Sequence, residues 1–165
     1  MNKNNVLIQN IIEQFIDIQD QENWLDESFQ KKIDQISPEQ AFARPIPEIH
    51  SVAELLAHVQ IWRSESIKKL RNEPSTLTVE SPDNWRTNEQ LKAIGWEQLK
   101  ADFFKSAADL IELIKDKDDS FLENYYKDGY QFKFLIEGLI HHDLYHLGQI
   151  GITIKLLRQY HIVSI

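Results

Sequence analysis

The chain has 165 residues, 42% of them hydrophobic and 27% charged, which is the balance of an ordinary folded protein of 19.4 kDa. Its 18 basic and 26 acidic residues leave a net charge of −8, which argues against nucleic acid, because a phosphate backbone needs a basic footprint. Cysteine is absent, so disulfides, thiolate zinc sites and cysteine nucleophiles are all excluded. The first residues lack the basic-then-apolar layout of a signal peptide, and no apolar run of about 18 residues could cross a membrane. The expectation is one soluble, cytoplasmic domain over residues 1–165, with no nucleic-acid or membrane partner.

Helical periodicity dominates the chain. Ile8, Ile11, Phe15, Ile18, Leu25, Phe29, Ile33 and Ile36 recur at spacings of three and four, with Glu22 in the one polar slot. This predicts an amphipathic helix over about residues 4–36, kinked near 19–21. Ser37 before Pro38 ends it, since a residue preceding proline is pushed out of the helical region. Pro38, Pro45 and Pro47 mark a connector with one short turn at 38–42. Ser51 and Glu54 then form a capping box opening a second helix to about Arg71, which buries Val52, Leu55, Leu56, Val59 and Trp62.

Residues 72–94 are polar and turn-rich with a single aromatic, Trp85, and a connection this long often walls a site. A third helix starts near Gly95, with Trp96, Leu99, Phe103, Ala107, Leu110 and Ile114 in one stripe. Lys127, Asp128 and Gly129 mark a turn before the last helix, about 131–158, which is apolar on most sides and therefore central. Strand structure has support only in the short run 75–79. Four long helices predict an all-α fold, a four-helix bundle with long connections.

The sharpest chemical signal is His142 and His146, four apart in the most hydrophobic helix. Residues at that spacing stack on one helix face, and two imidazoles there can converge on one divalent metal. His58 joins them, because it falls between Leu55 and Trp62 on the core-facing stripe of the second helix. Three neutral imidazoles leave the coordination sphere incomplete, which is the hallmark of a catalytic rather than a structural site. Zinc, nickel, iron and copper all suit such a donor set. The competing reading is three core histidines bonded to carbonyls, in a bundle that holds no metal.

The neighbouring residues have weaker signals. His141 points about 100° from His142 and reads as a packing or supporting residue, His50 as a loop residue, and His161 as a tail residue without a role. Gln149 and Tyr145 are the candidates nearest the pair for a catalytic part: Gln149 could hydrogen-bond a metal-bound water or substrate, or merely tie helices together, while Tyr145 and Asp143 flank the pair and could orient an imidazole. Asp143 reads as a solvated surface carboxylate. Gly138, Gly148 and Gly151 read as points of close helix packing, with room for a ligand as the alternative at Gly138. Trp62, Trp96, Phe103 and Phe134 read as core. Phosphate loops, nucleophile elbows and H-E-x-x-H are missing. Glu54 precedes His58, and Glu137 precedes His141, by four residues rather than three, so a di-iron carboxylate site is excluded as well.

Ser51–His58 followed by Trp62, and the run from His142 through His146, Leu147, Gly148 and Gln149 to Ile150, resemble the DinB-like superfamily of metal-binding four-helix bundles. The resemblance spans nearly the whole chain in helix order and length. It implies a divalent metal, usually zinc or nickel, held by His58, His142 and His146. Its better-understood members, bacillithiol S-transferases and mycothiol-dependent maleylpyruvate isomerases, use low-molecular-weight thiols. The expectation is therefore a metal-dependent enzyme acting on a small-molecule substrate, a thiol S-transferase or a hydrolase. With no cysteine in the chain, any thiol must arrive as a cosubstrate. The alternative is a non-catalytic metal-binding bundle, a stress-related or dimerisation module, and the exposed faces of the first and third helices could support a homodimer.

Overall fold

The computed structural model describes residues 4–21 and 23–160, so Glu22 and His161 lie outside the described residues. It is all-α apart from one small hairpin. Helices α1 (Val6–Gln19), α4 (Val52–Leu70), α6 (Trp96–Ile114) and α7 (Phe132–Gln159) form the bundle. Shorter helices α2 (Phe29–Ile33), α3 (Pro38–Ala41) and α5 (Asn88–Ile94) occupy the connections. Packing closes in a ring, with α4 lying on both α6 and α7 while α1 contacts the same two from the other side. The links from α1 to α4 and from α6 to α7 therefore cross the bundle diagonally, which accounts for their length.

The expected stripes are the core. Ile8, Ile11, Phe15 and Ile18 of α1 are buried, as are Val52, Leu55, Leu56 and Val59 of α4 and all six stripe residues of α6. Ser51 caps α4 as the sequence predicts, accepting from the Glu54 N–H while the Glu54 carboxylate accepts from the Ser51 N–H. Equivalent boxes, Ser37 with Gln40 and Thr87 with Gln90, start α3 and α5. The N-terminus of α1 borrows its cap from far along the chain, because Asp119 Oδ1 accepts from the Ile8 N–H at 3.0 Å.

Three expectations about elements need correction. The first helix does not continue to residue 36, because Asn23 draws the backbone out of it. Its amide donates to the Asp17 and Glu27 carbonyls while its oxygen accepts from the Leu25 N–H. Trp24 and Leu25 are left exposed there, and Phe29 and Ile33 return to the core on α2. The second correction concerns 72–94, which is not uniformly loop, since a single-turn helix (Pro82–Trp85) and α5 lie within it. Finally, 75–79 forms no strand. The hairpin is instead β1 (Tyr125–Lys127) with β2 (Tyr130–Gln131), antiparallel, turning at Gly129 with φ +79°. That turn is the predicted one at 127–129.

The core also contains an ion pair. Arg63 of α4 and Asp143 of α7 are both 0% exposed, so Asp143 is not the solvated carboxylate its sequence position suggests. Arg63 Nη2 lies 2.6 Å from Asp143 Oδ2, and Arg63 Nε is 3.2 Å from both carboxylate oxygens. Its Nη1 donates to the Phe103 carbonyl and Ser106 Oγ on α6, and the guanidinium sits 4.4 Å from the Phe103 ring centroid. One side chain thereby ties α4, α6 and α7 together. Full burial pushes the Asp143 carboxyl up, and the charge and hydrogen bonds of Arg63 pull it back.

The glycines of α7 do not mark close packing. A Cβ built at Gly138 or Gly148 would meet nothing within 4 Å, and one at Gly151 would meet only the Lys32 chain, at 3.5 Å. Of the residues read as core, Phe134 is 61% exposed and Trp62 is only half-buried, whereas Trp96 and Phe103 are buried as expected.

Two stability tests result. Replacing Gly148 with Ala in open space within a helix should stabilise by about 1 kcal/mol, and a lower melting temperature would contradict the open geometry. Asp143→Ala strands a buried guanidinium and should cost about 3–5 kcal/mol in urea unfolding. The double variant Arg63→Met with Asp143→Leu should regain most of that loss, and an unchanged single variant would contradict the buried pair.

Candidate metal centre

His58 projects from the middle of α4, and His142 and His146 from successive turns of α7, the two helices that Arg63 and Asp143 clamp together. The structure brings all three imidazoles into one cluster, with one ring nitrogen of each lying within 4.8 Å of the others. His142 Nε2 is 3.1 Å from His58 Nε2 and 3.2 Å from His146 Nε2. Nitrogens bound tetrahedrally to one ion at 2.0–2.1 Å would stand ~3.3 Å apart, so the spacing fits a divalent metal.

The outer nitrogens decide the protonation. His58 Nδ1 lies 2.8 Å from the Asn84 carbonyl, which can only accept, so Nδ1 has the hydrogen and the Nε2 lone pair faces inward. His146 Nδ1 likewise donates to Gln149 Oε1 at 2.7 Å, turning its own Nε2 lone pair toward the same point. His142 Nδ1 is buried with no hydrogen-bond partner among the described residues. One hydrogen on His142 Nε2 could serve only one of the two facing lone pairs. A cation satisfies all three nitrogens together.

Burial keeps the imidazoles neutral, the form a metal requires. Desolvation leads in depressing His142 to about 3, with the neighbouring His146, His58 and Arg63 adding to it. His146 is lowered to about 4, again first by burial, against the raising effect of Gln149. His58 is lowered by burial too, while its bond to Asn84 opposes the shift.

The 72–94 segment supplies the second wall of the site, as its length suggested. Trp85 stacks on His58 with ring centroids 3.9 Å apart and on His50 at 3.8 Å, both nearly parallel. His50 is therefore more than a loop residue, since it completes a three-ring stack that fixes the plane of His58. Asn84 is pinned in turn, its Oδ1 accepting from Trp62 Nε1 and its Nδ2 donating to the Val79 carbonyl, each at 2.8 Å. Sequence reasoning missed Asn84, Trp85 and Arg63. The one available signal was Trp85, a lone aromatic in an otherwise polar stretch.

The other nominated residues divide. Gln149 orients His146 and also lines a mostly apolar cleft of about 240 Å³ beside His50. Tyr145 is 64% exposed and meets His146 only through an edge-on ring contact with centroids 5.0 Å apart. His141 is exposed and supports nothing in the cluster, contrary to its reading as a packing or supporting residue. Gly138 lines a second cleft of about 180 Å³, together with Trp62 and His142, so the space it leaves opens beside the histidines.

Among the described residues no helix is long and apolar enough to cross a membrane. No curated protein and no solved structure matches the chain significantly. The family model of the DinB superfamily matches residues 23–150, a span that includes all three clustered histidines, and the chain belongs to that superfamily.

Proposed function

We propose that His58, His142 and His146 hold one divalent metal, zinc or nickel, and that the protein is a metal-dependent enzyme joining a low-molecular-weight thiol to a small electrophile. The observation that carries this reading is the convergence of three Nε2 atoms whose outer nitrogens are committed elsewhere or buried. When bound, the cation would lower the pKa of a thiol or water placed beside it.

The chain's own groups favour the thiol. Among the described residues none of the three imidazoles is bonded to a carboxylate, and the buried acids nearby are taken, Asp143 by Arg63 and Glu54 by Arg44. A cation on three neutral imidazoles would bring either nucleophile into the neutral range, a water from about 15.7 and a thiol from about 8.5, and the thiol needs by far the smaller shift. Gln149 and the Asn84 carbonyl hold the ring orientations, and the Trp85 stack keeps water off one face of His58. The cleft between Trp62 and Gly138 gives a small molecule access on the His142 side.

Elemental mass spectrometry on tag-free protein, purified without chelating resin, tests the metal. The wild type should have close to one zinc or nickel per chain and His142→Ala almost none. Gln149→Leu should keep the fold and weaken metal binding by about tenfold or more. A wild type that is empty, and that takes up neither metal on dialysis, would overturn the proposal.

A further inference from the structure

Two lysines near the cluster lack the partners that other lysines of this acidic chain possess. Lys68 pairs with Glu65, Lys105 with Asp109 and Lys115 with Glu112. Lys69, on the last turn of α4, is half-buried, and it has no ion pair or hydrogen bond from Nζ among the described residues. Its ammonium rests between two rings instead, 5.8 Å from the Trp62 centroid and 6.0 Å from that of Tyr126. Lys127, at the end of β1, shares Tyr126 from 5.8 Å and lies 4.3 Å from Tyr130, and it too has no carboxylate partner among the described residues. Both lysines line one polar cleft of about 410 Å³.

The carboxylates nearby do not neutralise them. Glu65 is occupied by Lys68 and by Ser75 Oγ, and Glu73, at the rim of the same cleft, is exposed and bonded to neither lysine. Burial and the charge of Lys127 push the Lys69 ammonium down, against the pull of Glu65. Two ammonium groups facing one cavity repel each other until an anion sits between them.

Lys69 also lines the cleft of about 180 Å³ that reaches His142, so its side chain borders both cavities. Trp62 lies on the way from one to the other, its ring 6.5 Å from that of His142 and 5.8 Å from Lys69 Nζ. The open side of Gly138 leaves space in the cleft beside His142. We propose that Lys69 and Lys127 hold the carboxylate of a small molecule whose reactive end reaches the three-histidine cluster along Trp62. This rests on the metal reading above. A carboxylate suits the site better than a phosphate group, because Lys69 sits at the negative, carbonyl end of α4, where a second negative charge is penalised. Phosphate sites are commonly built from helix N-termini and forked arginines, and this one has neither.

The test uses cobalt-loaded full-length protein and a matched pair of probes, mercaptohexanoate and mercaptohexanol, which differ in the terminal carboxylate. Thiol binding is read from the visible cobalt spectrum. At low salt the wild type should bind the acid about tenfold more tightly than the alcohol, a preference that fades as salt screens the lysines. Lys127→Met, on an exposed strand, should reduce the preference, and Lys69→Met with Lys127→Met should abolish it, the ratio of the two affinities falling to about one. Equal binding of the two thiols by the wild type, or a preference that survives in the double variant, would overturn the proposal and leave the metal centre standing. A cobalt spectrum that neither thiol moves overturns it as well. Failure to take up cobalt at all, visible before any thiol is added, would remove the metal reading and this proposal with it.

Discussion

The buried pair of Arg63 and Asp143 sets the geometry on which the rest of the molecule depends. Asp143 directly follows His142 on α7, and Arg63 lies five residues after His58 on α4. Fixing that carboxylate against that guanidinium therefore fixes how far α4 can slide along α7, and with it the distance from His58 to His142. Apolar side chains tolerate small slips between helices, but a buried ion pair does not, since a shift of one turn would leave two bare charges in the core. The bonds from Arg63 to the Phe103 carbonyl and Ser106 extend the constraint to α6.

The histidine cluster exploits this rigidity. Closely spaced imidazoles in a largely buried cluster resist protonation, so they remain lone-pair donors well below neutral pH. The outer shell then settles which nitrogen faces inward. A backbone carbonyl does this for His58 and a side-chain amide for His146, while the stack of His50, Trp85 and His58 holds the ring plane. Neither partner is charged, so the site would keep the full charge of a divalent ion, which suits stabilising an anion arriving from outside.

What the sequence made legible follows from the range of the interactions. Stripes such as Trp96 to Ile114, the capping box at Ser51 and the spacing of His142 to His146 are written within a few residues, and all three appear in the structure. His58 was legible because it shares a stripe with Leu55 and Trp62. Asp143 was misread for the opposite reason: its partner lies 80 positions away, and nothing local distinguishes a buried acid from a solvated one. Asn84 and Trp85 were hidden likewise, since a loop has no periodicity to show which way its side chains face. The kink expected near 19–21 falls where α1 ends, but that it is a full break was not legible, because the Asn23 side-chain bonds to the backbone interrupt a helix without altering its hydrophobic pattern.

X-ray absorption at the metal edge of the purified protein tests most directly whether three imidazole nitrogens from two helices share one ion. The spectrum should show a first shell containing three nitrogens at about 2.0–2.1 Å, with the outer-shell scattering of imidazole rings, and a loss of that signature in His58→Ala. A shell made of oxygens alone, without imidazole scattering, would contradict it.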